Sequence, residues 1–173
     1  RWVDRAVRVC QGALSAGTAA DHQPRRERFT LGEVVGEIEA AVGPGGALEA
    51  TLEAPGSERV VLDADYDQVF RILLNLVRNA LTAGARSVTV DGERDGSVVR
   101  IDVRDDGTGV PLRVRECLFS EKPPEAGQKG SGLGLAIAWE LAGNHGGDVT
   151  LQRSDANGTV FRITIPDPDW SQA

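Results

Sequence analysis

Apolar residues recur along this chain with two different periods. In "DYDQVFRILLNLVRNALTAGA", Val69, Ile72, Leu73, Leu76, Val77 and Ala80 repeat at steps of three and four, which predicts a buried helix over 65–83. "FTLGEVVGEIEAAVG" predicts another, with Thr30 as N-cap, Glu33 completing a capping box and Gly43 as the stop. "GLGLAIAWELAGNHGG" predicts a third, opened and closed by glycines. Alternating or β-branched runs predict strands in "ALEATLEA" and "RVVLD", separated by "PGS". Hairpins are predicted from "SVTVDGE" and "SVVRIDVRD" around "RDG", and from "DVTLQRS" and "TVFRITIP" around "DANG". At the start, Val3, Val7, Cys10, Leu14 and Gly17 form a short a/d seam, the mark of an N-terminal helix, and "TAADHQPRRER" follows as a polar linker.

From residue 30 the order is αββαββ, a loop over 111–131, then αββ. Strands arriving in neighbouring pairs with helices between them predict an α+β fold. It is a two-layer α/β sandwich, with one mixed, mostly antiparallel sheet and helices on one face. The chain divides into residues 1–20, the N-terminal helix; 21–29, the linker; 30–168, the main domain; and 169–173, a tail.

Composition narrows the classes. The 173 residues suffice for one core, and 40% hydrophobic with 26% charged residues is ordinary for a globular chain. A net charge of -7 argues against a nucleic-acid binder, and the basic run "PRRER" reads as a solvated linker. Cys10 and Cys117 have no metal-like spacing and read as reduced thiols in a cytosolic setting. No run spans a membrane. The chain has no Met and starts at Arg1, so it reads as a piece of a longer protein.

Three stretches carry chemistry. The 65–83 helix places Asn75 and Asn79 one turn apart on the face opposite its apolar stripe, with Arg71, Arg78 and Thr82. Asn disfavours helix interiors, and surface positions favour Lys, Glu or Gln. Two amide oxygens on one face are neutral hard ligands suited to Mg²⁺, and Arg78 is placed to meet a phosphate. In "VRDDGTGV", a strand ends in Asp105, followed by Gly107 and Gly109. A carboxylate there can accept a hydrogen bond from the exocyclic amine of adenine, where guanine offers a carbonyl. Taken alone, an ordinary Asp-Gly turn explains the loop equally well. In "GSGLGLAIA", Gly130, Gly132 and Gly134 open a helix whose N-terminal amides suit phosphate; a hinge is the bland alternative. The spacing fits neither GxxxxGK[ST] nor GxGxxG.

In order and spacing these stretches resemble the catalytic ATP-binding domain of sensor histidine kinases, within the superfamily shared with gyrase, Hsp90 and MutL-type ATPases (the Bergerat fold). "NLVRNA" is similar to the N box, "DDGTG" to the G1 box, "LF" at 118–119 to a remnant of the F box, and "GSGLGLAIA" to the G2 box. "HGG" at 145–147 matches the usual end of the following helix. The resemblance covers about Phe29 to Asp167. It implies ATP and Mg²⁺ as cofactors. Asp105 would receive the adenine amine, Asn79 would coordinate Mg²⁺ with Asn75 assisting, and Gly107 and Gly109 would shape the adenine pocket. Gly130, Ser131, Gly132, Leu133 and Gly134 would meet the phosphates as part of a lid. Hydrolytic members carry a Glu where this chain has Asn75; an amide cannot take a proton, so the resemblance implies phosphotransfer rather than hydrolysis.

The resemblance also implies partners: a response regulator or phosphotransfer protein, and a homodimer in the parent. The site would lie in a cytoplasmic domain of a parent free to carry a membrane anchor elsewhere. Residues 1–20 would be the end of the dimerisation and phosphotransfer hairpin. Of the two histidines, His145 reads as structural and His22 lies in the linker, so the phosphoacceptor is expected upstream of Arg1. The sequence departs from the family in a short lid with one aromatic, Phe119, and in Thr82, where a long polar residue is usual; Lys122 and Lys129 read as solvated. Two other readings share these boxes: a degenerate kinase-like scaffold, and a Ser/Thr kinase of the anti-sigma type.

Overall fold

The computed structural model describes residues 23–42, 50–112, 115 and 133–168. Seven strands, three α-helices and one turn of 3₁₀ helix at Ser57–Arg59 lie among them. β1 is Arg26–Thr30, α1 Leu31–Val42, β2 Thr51–Glu53, β3 Val61–Asp65, α2 Tyr66–Thr82, β4 Ser87–Asp95, β5 Val98–Asp105, α3 Leu133–Asn144, β6 Asp148–Asp155 and β7 Gly158–Pro166. Five strands form a sheet in the order β2-β4-β5-β7-β6, antiparallel except for the parallel β2–β4 pair. β1 and β3 form a separate antiparallel pair.

Alternation decides which face the helices cover. Val88 and Val90 on β4, Val99, Ile101 and Val103 on β5, and Phe161, Ile163 and Ile165 on β7 are all buried. Against them pack the apolar stripe of α2 and, from α3, Leu135, Ala138, Leu141 and Ala142. Removing this much apolar surface from water is the main force holding the two layers together. The opposite face carries charge. Arg162 donates to both oxygens of Asp102 at 2.7 and 2.8 Å, Arg104 lies 3.3 Å from Asp102 and 3.4 Å from Asp91, and Arg100 lies 2.8 Å from Asp95. The Arg162 fork holds the Asp102 carboxyl below the usual carboxylate range.

The sheet and helices confirm the two-layer reading, with two local corrections. Residues 21–29 are read above as linker, yet Arg26–Thr30 is a strand. The charged run "RRER" conceals it; only Phe29 is buried, packed edge-on against Tyr66 with centroids 4.9 Å apart. Its order comes from pairing with β3, and Arg26 further donates to the carbonyls of Asp63 and Pro166 at 2.5 and 3.0 Å. Second, the strands flanking "PGS" do not pair with each other: β2 joins the large sheet beside β4, and β3 turns away to β1. Hence there are two sheets, not one. Of the strand expected over 47–54, Thr51–Glu53 is strand, and residues 47–49 lie outside the described residues. The N-terminal helix, Gly43, and the tail at 169–173 lie outside the described residues.

The capping box forms as expected. Thr30 N donates to Glu33 Oε2 at 2.6 Å, and Glu33 N donates to Thr30 Oγ1 at 3.3 Å. At the start of α2, Asp65 is the cap, accepting from Gln68 N at 3.0 Å. Asp65 also joins three parts of the chain. Its other oxygen accepts from Arg25 N at 2.9 Å, and its own N–H donates to His145 Nε2 at 3.1 Å. His145 Nε2 is therefore the acceptor, and Nδ1–H donates to Leu141 O at 2.9 Å. The buried ring closes the C-terminal end of α3 onto the start of α2, a structural role.

Burial pushes the His145 pKa below its ordinary value of 6.5. A base whose folded pKa is lowered leaves stability complete above 6.5 and loses it as pH falls from there toward the folded value, because the unfolded chain binds the proton first. Urea midpoints should therefore fall between pH ~7 and ~5, with a slope of at most ~1.4 kcal/mol per pH unit from this group. His145→Gln, which keeps an acceptor and cannot titrate, should flatten that part of the curve.

Candidate functional site

The site lies where α2, the loop after β5 and the first turn of α3 converge. Asn75 and Asn79 are half-buried on α2. Among the described residues no hydrogen-bond partner is found for either side-chain amide. Gly134, in the first turn of α3, lies directly over them. A Cβ at Gly134 would stand 3.2 Å from Asn75 Oδ1 and 3.6 Å from Asn79 Oδ1. The amide pair thus meets the N-terminal end of a helix, where unpaired N–H groups and the dipole favour negative charge. Two neutral hard oxygens beside such an end make a donor set that fits a divalent cation bridging an anion.

The second half is built on the end of β5. Asp105 and Asp106 are neighbours with different fates. Asp106 Oδ1 accepts from Arg86 N at 2.7 Å and Ser87 N at 2.9 Å, and these backbone donors hold its carboxyl below the ordinary range. It staples the strand end to the chain entering β4. Asp105 is half-buried, and that burial raises its pKa despite donors from Gly107 N, at 2.8 Å, and from Thr159. It is the carboxylate with acceptor capacity to spare. Thr159, 2% exposed and paired with Asp105 across β5–β7, is a site residue that sequence reading missed. Only the long-range register of β7 against β5 could have pointed to it.

The loop glycines are there for space. A Cβ on Gly107 would stand 2.9 Å from Asp105 Oδ1 and 3.1 Å from Ala83 Cβ. Gly109 has φ +82°, and its Cβ would collide with the backbone carbonyl of Asp155. Thr108 N donates to Ala83 O at 3.1 Å, and Ala83 N to Asn79 O at 3.0 Å, so the loop is tied to the turn that ends the Asn helix. Beyond it, Ser154 Oγ accepts from Val110 N at 2.7 Å and Arg115 Nη2 lies 3.2 Å from the same oxygen. Both Ser154 and Arg115 escaped the sequence reading, since neither stands in a motif.

The structure thus brings Asn75, Asn79 and Gly134 together, and ties Asp105, Gly107 and Gly109 to the same corner through Ala83. Arg78 is exposed, and no described contact draws its side chain to the pair. Gly130, Ser131, Gly132 and the side chain of Leu133 lie outside the described residues, as do Phe119, Lys122 and Lys129. No helix among the described residues is long and apolar enough to cross a membrane.

A carboxylate whose folded pKa is raised costs stability once charged. Stability from this group is greatest below 3.8, its ordinary value, and declines as pH rises through the folded pKa. Asp105→Asn should therefore melt no lower than the parent at pH ~7 without ligand, and its advantage should vanish below pH ~4. Paired thermal melts check this.

Residues 64–169 match the family described as histidine kinase-, DNA gyrase B-, and HSP90-like ATPase. The chain is 32% identical over 147 residues to the sensor protein KdpD of Escherichia coli, covering 82% of this chain and 16% of KdpD. It is 36% identical over 141 residues to the sensory histidine kinase/phosphatase NtrB of Proteus hauseri, covering 67% of this chain and 39% of NtrB. The solution structure of the histidine kinase domain of the Escherichia coli osmosensor EnvZ superposes with a TM-score of 0.63 at 28% identity, covering 90% of this chain and 96% of that domain. The chain therefore spans less than half of either whole protein it matches.

Proposed function

We propose, for a chain that belongs to the family of histidine kinase-, DNA gyrase B- and HSP90-like ATPases, that it is the ATP-binding catalytic domain of a sensor histidine kinase. It transfers the γ-phosphoryl group of ATP to a histidine outside residues 1–173. The observation that carries the reading is the approach of Gly134 to Asn75 and Asn79, which sets a helix N-terminus beside two side-chain amides with no hydrogen-bond partner among the described residues. Around it the roles divide by chemistry. Asp105, half-buried yet able to accept, takes the amine of adenine and finds no such donor on guanine at that position. Gly107 and Gly109 let the backbone lie against the base. Asn79, with Asn75 assisting, would hold Mg²⁺, which when bound neutralises phosphate charge and orients the transferring group. Gly130, Ser131, Gly132, Leu133 and Gly134 would line the phosphates, with Arg78 as an outer cation.

Position 75 decides between transfer and hydrolysis. An amide accepts hydrogen bonds but takes no proton, so it supplies no base to activate water. Catalysis then rests on positioning and charge stabilisation. The domain layout follows: residues 1–20 end the phosphotransfer hairpin, 21–25 link it to β1, and the catalytic domain runs to 168. A response regulator would receive the phosphoryl group, and the parent would act as a cytoplasmic-facing homodimer.

Thermal melts of the whole chain with Mg-ATP, Mg-GTP and no nucleotide test this. Ligand at ~100-fold over Kd adds about 2.7 kcal/mol, a Tm rise of roughly 5–11 °C at this size. ATP should give such a rise and GTP none, and Asn79→Ala should lower affinity for Mg-ATP by at least ~10-fold. No shift at millimolar ATP would overturn the kinase reading in favour of a nucleotide-free scaffold.

A further inference from the structure

Half-buried arginines in this fold are paired, with one exception. Arg94 meets Asp167 at 2.9 Å, Arg100 meets Asp95 at 2.8 Å, Arg115 donates to Val110 O at 2.9 Å and Arg162 to Asp102 at 2.7 Å. Arg71, half-buried on α2, makes no hydrogen bond or ion pair among the described residues. Asp67, one turn before it, is the single acid of that helix. A partly desolvated cation without an acceptor is unfavourable, and an anion arriving beside it removes the penalty.

The position of Arg71 says which anion. Arg71, Asn75, Asn79 and Ala83 stand four residues apart, each step ~6 Å along the helix and ~40° around it, so they form one oblique ridge. All four are half-buried, while Arg78 and Thr82 beside the ridge are exposed. The ridge has an order. Ala83 stands at the corner of Asp105 and the glycine loop: Thr108 N donates to its carbonyl, and a Cβ on Gly107 would lie 3.1 Å from its own. Asn79 and Asn75 follow, beneath Gly134. Arg71 comes next, one turn past the amide pair. A nucleotide with its base at Asp105 and its phosphates at the pair therefore extends its last phosphate toward Arg71. Arg78 precedes Asn79 by one residue, ~100° around the helix and off this line.

We propose that Arg71 binds the terminal phosphoryl group of the nucleotide and so makes the site prefer a triphosphate to a diphosphate. This rests on ATP as the ligand of the Asn pair and adds the residue that recognises its γ-phosphate. A planar guanidinium matches two phosphate oxygens at once, which gives the donors of Arg71 the acceptors they lack among the described residues. Beyond Asp67, α2 carries no acid, so in a chain of net charge -7 the helix brings no carboxylate to the ridge from Arg71 to Ala83.

Calorimetric titration of the whole chain with Mg-ATP and with Mg-ADP tests it. Arg71→Gln should weaken Mg-ATP binding by at least ~10-fold, the scale of one charge-assisted hydrogen bond, and leave Mg-ADP binding within ~2-fold. Retained ADP binding shows in the same experiment that the variant is folded. Arg100→Gln removes the same charge from the opposite face of the sheet, where Arg100 meets Asp95, and should leave the ratio of the two affinities unchanged. Equal losses for both nucleotides, or no loss for either, would overturn the proposal. An equal change of ratio in Arg100→Gln would also overturn it, because the net charge of the chain would then explain the effect. If the unaltered chain binds neither nucleotide, the ATP reading itself fails and this assignment falls with it.

Discussion

The site depends on one missing side chain. Gly134 lets the first turn of α3 lie against Asn75 and Asn79, so close that a methyl carbon on it would crowd the Asn75 amide oxygen. That closeness sets two poor helix residues against the first turn of a neighbouring helix, where N–H groups and the dipole favour negative charge. The rest of the fold holds this approach. The buried stripe of α2 fixes which face the asparagines show, and Leu135, Ala138 and Leu141 seat α3 on the same core. At its far end, the neutral ring of His145 locks α3 to the cap of α2. One element thus carries both the turn that overlies the asparagines and a structural finish.

The second constraint is how two adjacent carboxylates share one strand end. Asp106 spends its acceptors on the backbone of residues 86 and 87, which fixes the loop. Asp105 is kept half-buried with lone pairs to spare, at a cost visible in its raised pKa. Burial without full pairing is unfavourable for folding and useful for recognition, since a buried acceptor penalises any base that brings no donor. The charged outer face shows the opposite arrangement. Asp102 is nearly as buried as the core, but Arg162 satisfies both its oxygens, and it reads as structure.

Much of this was legible in the sequence because the signals were local. The period of Val69 through Ala80 placed α2 within a residue at each end. The Thr30–Glu33 pair announced α1, and the glycines of the two loops marked where backbone must come close. What escaped was set by distant partners. β1 is a charged run whose only buried residue is Phe29, and pairing with β3 makes it a strand. The parallel β2–β4 contact joins residues some 36 apart, so no turn signal records it. Thr159 and Ser154 reach the site only through the register of β7 and β6 with their neighbours, and their residue types say nothing alone.

The central claim is that Asp105 reads the exocyclic amine of adenine. Calorimetric titration with Mg-ATP, and with the purine riboside triphosphate that has hydrogen in place of that amine, isolates the one contact. Leaving a buried acceptor unpaired costs about 1–3 kcal/mol, so the analogue should bind ~5- to 150-fold more weakly. In Asp105→Ala the two nucleotides should bind alike. Equal affinities in the unaltered protein would contradict the account.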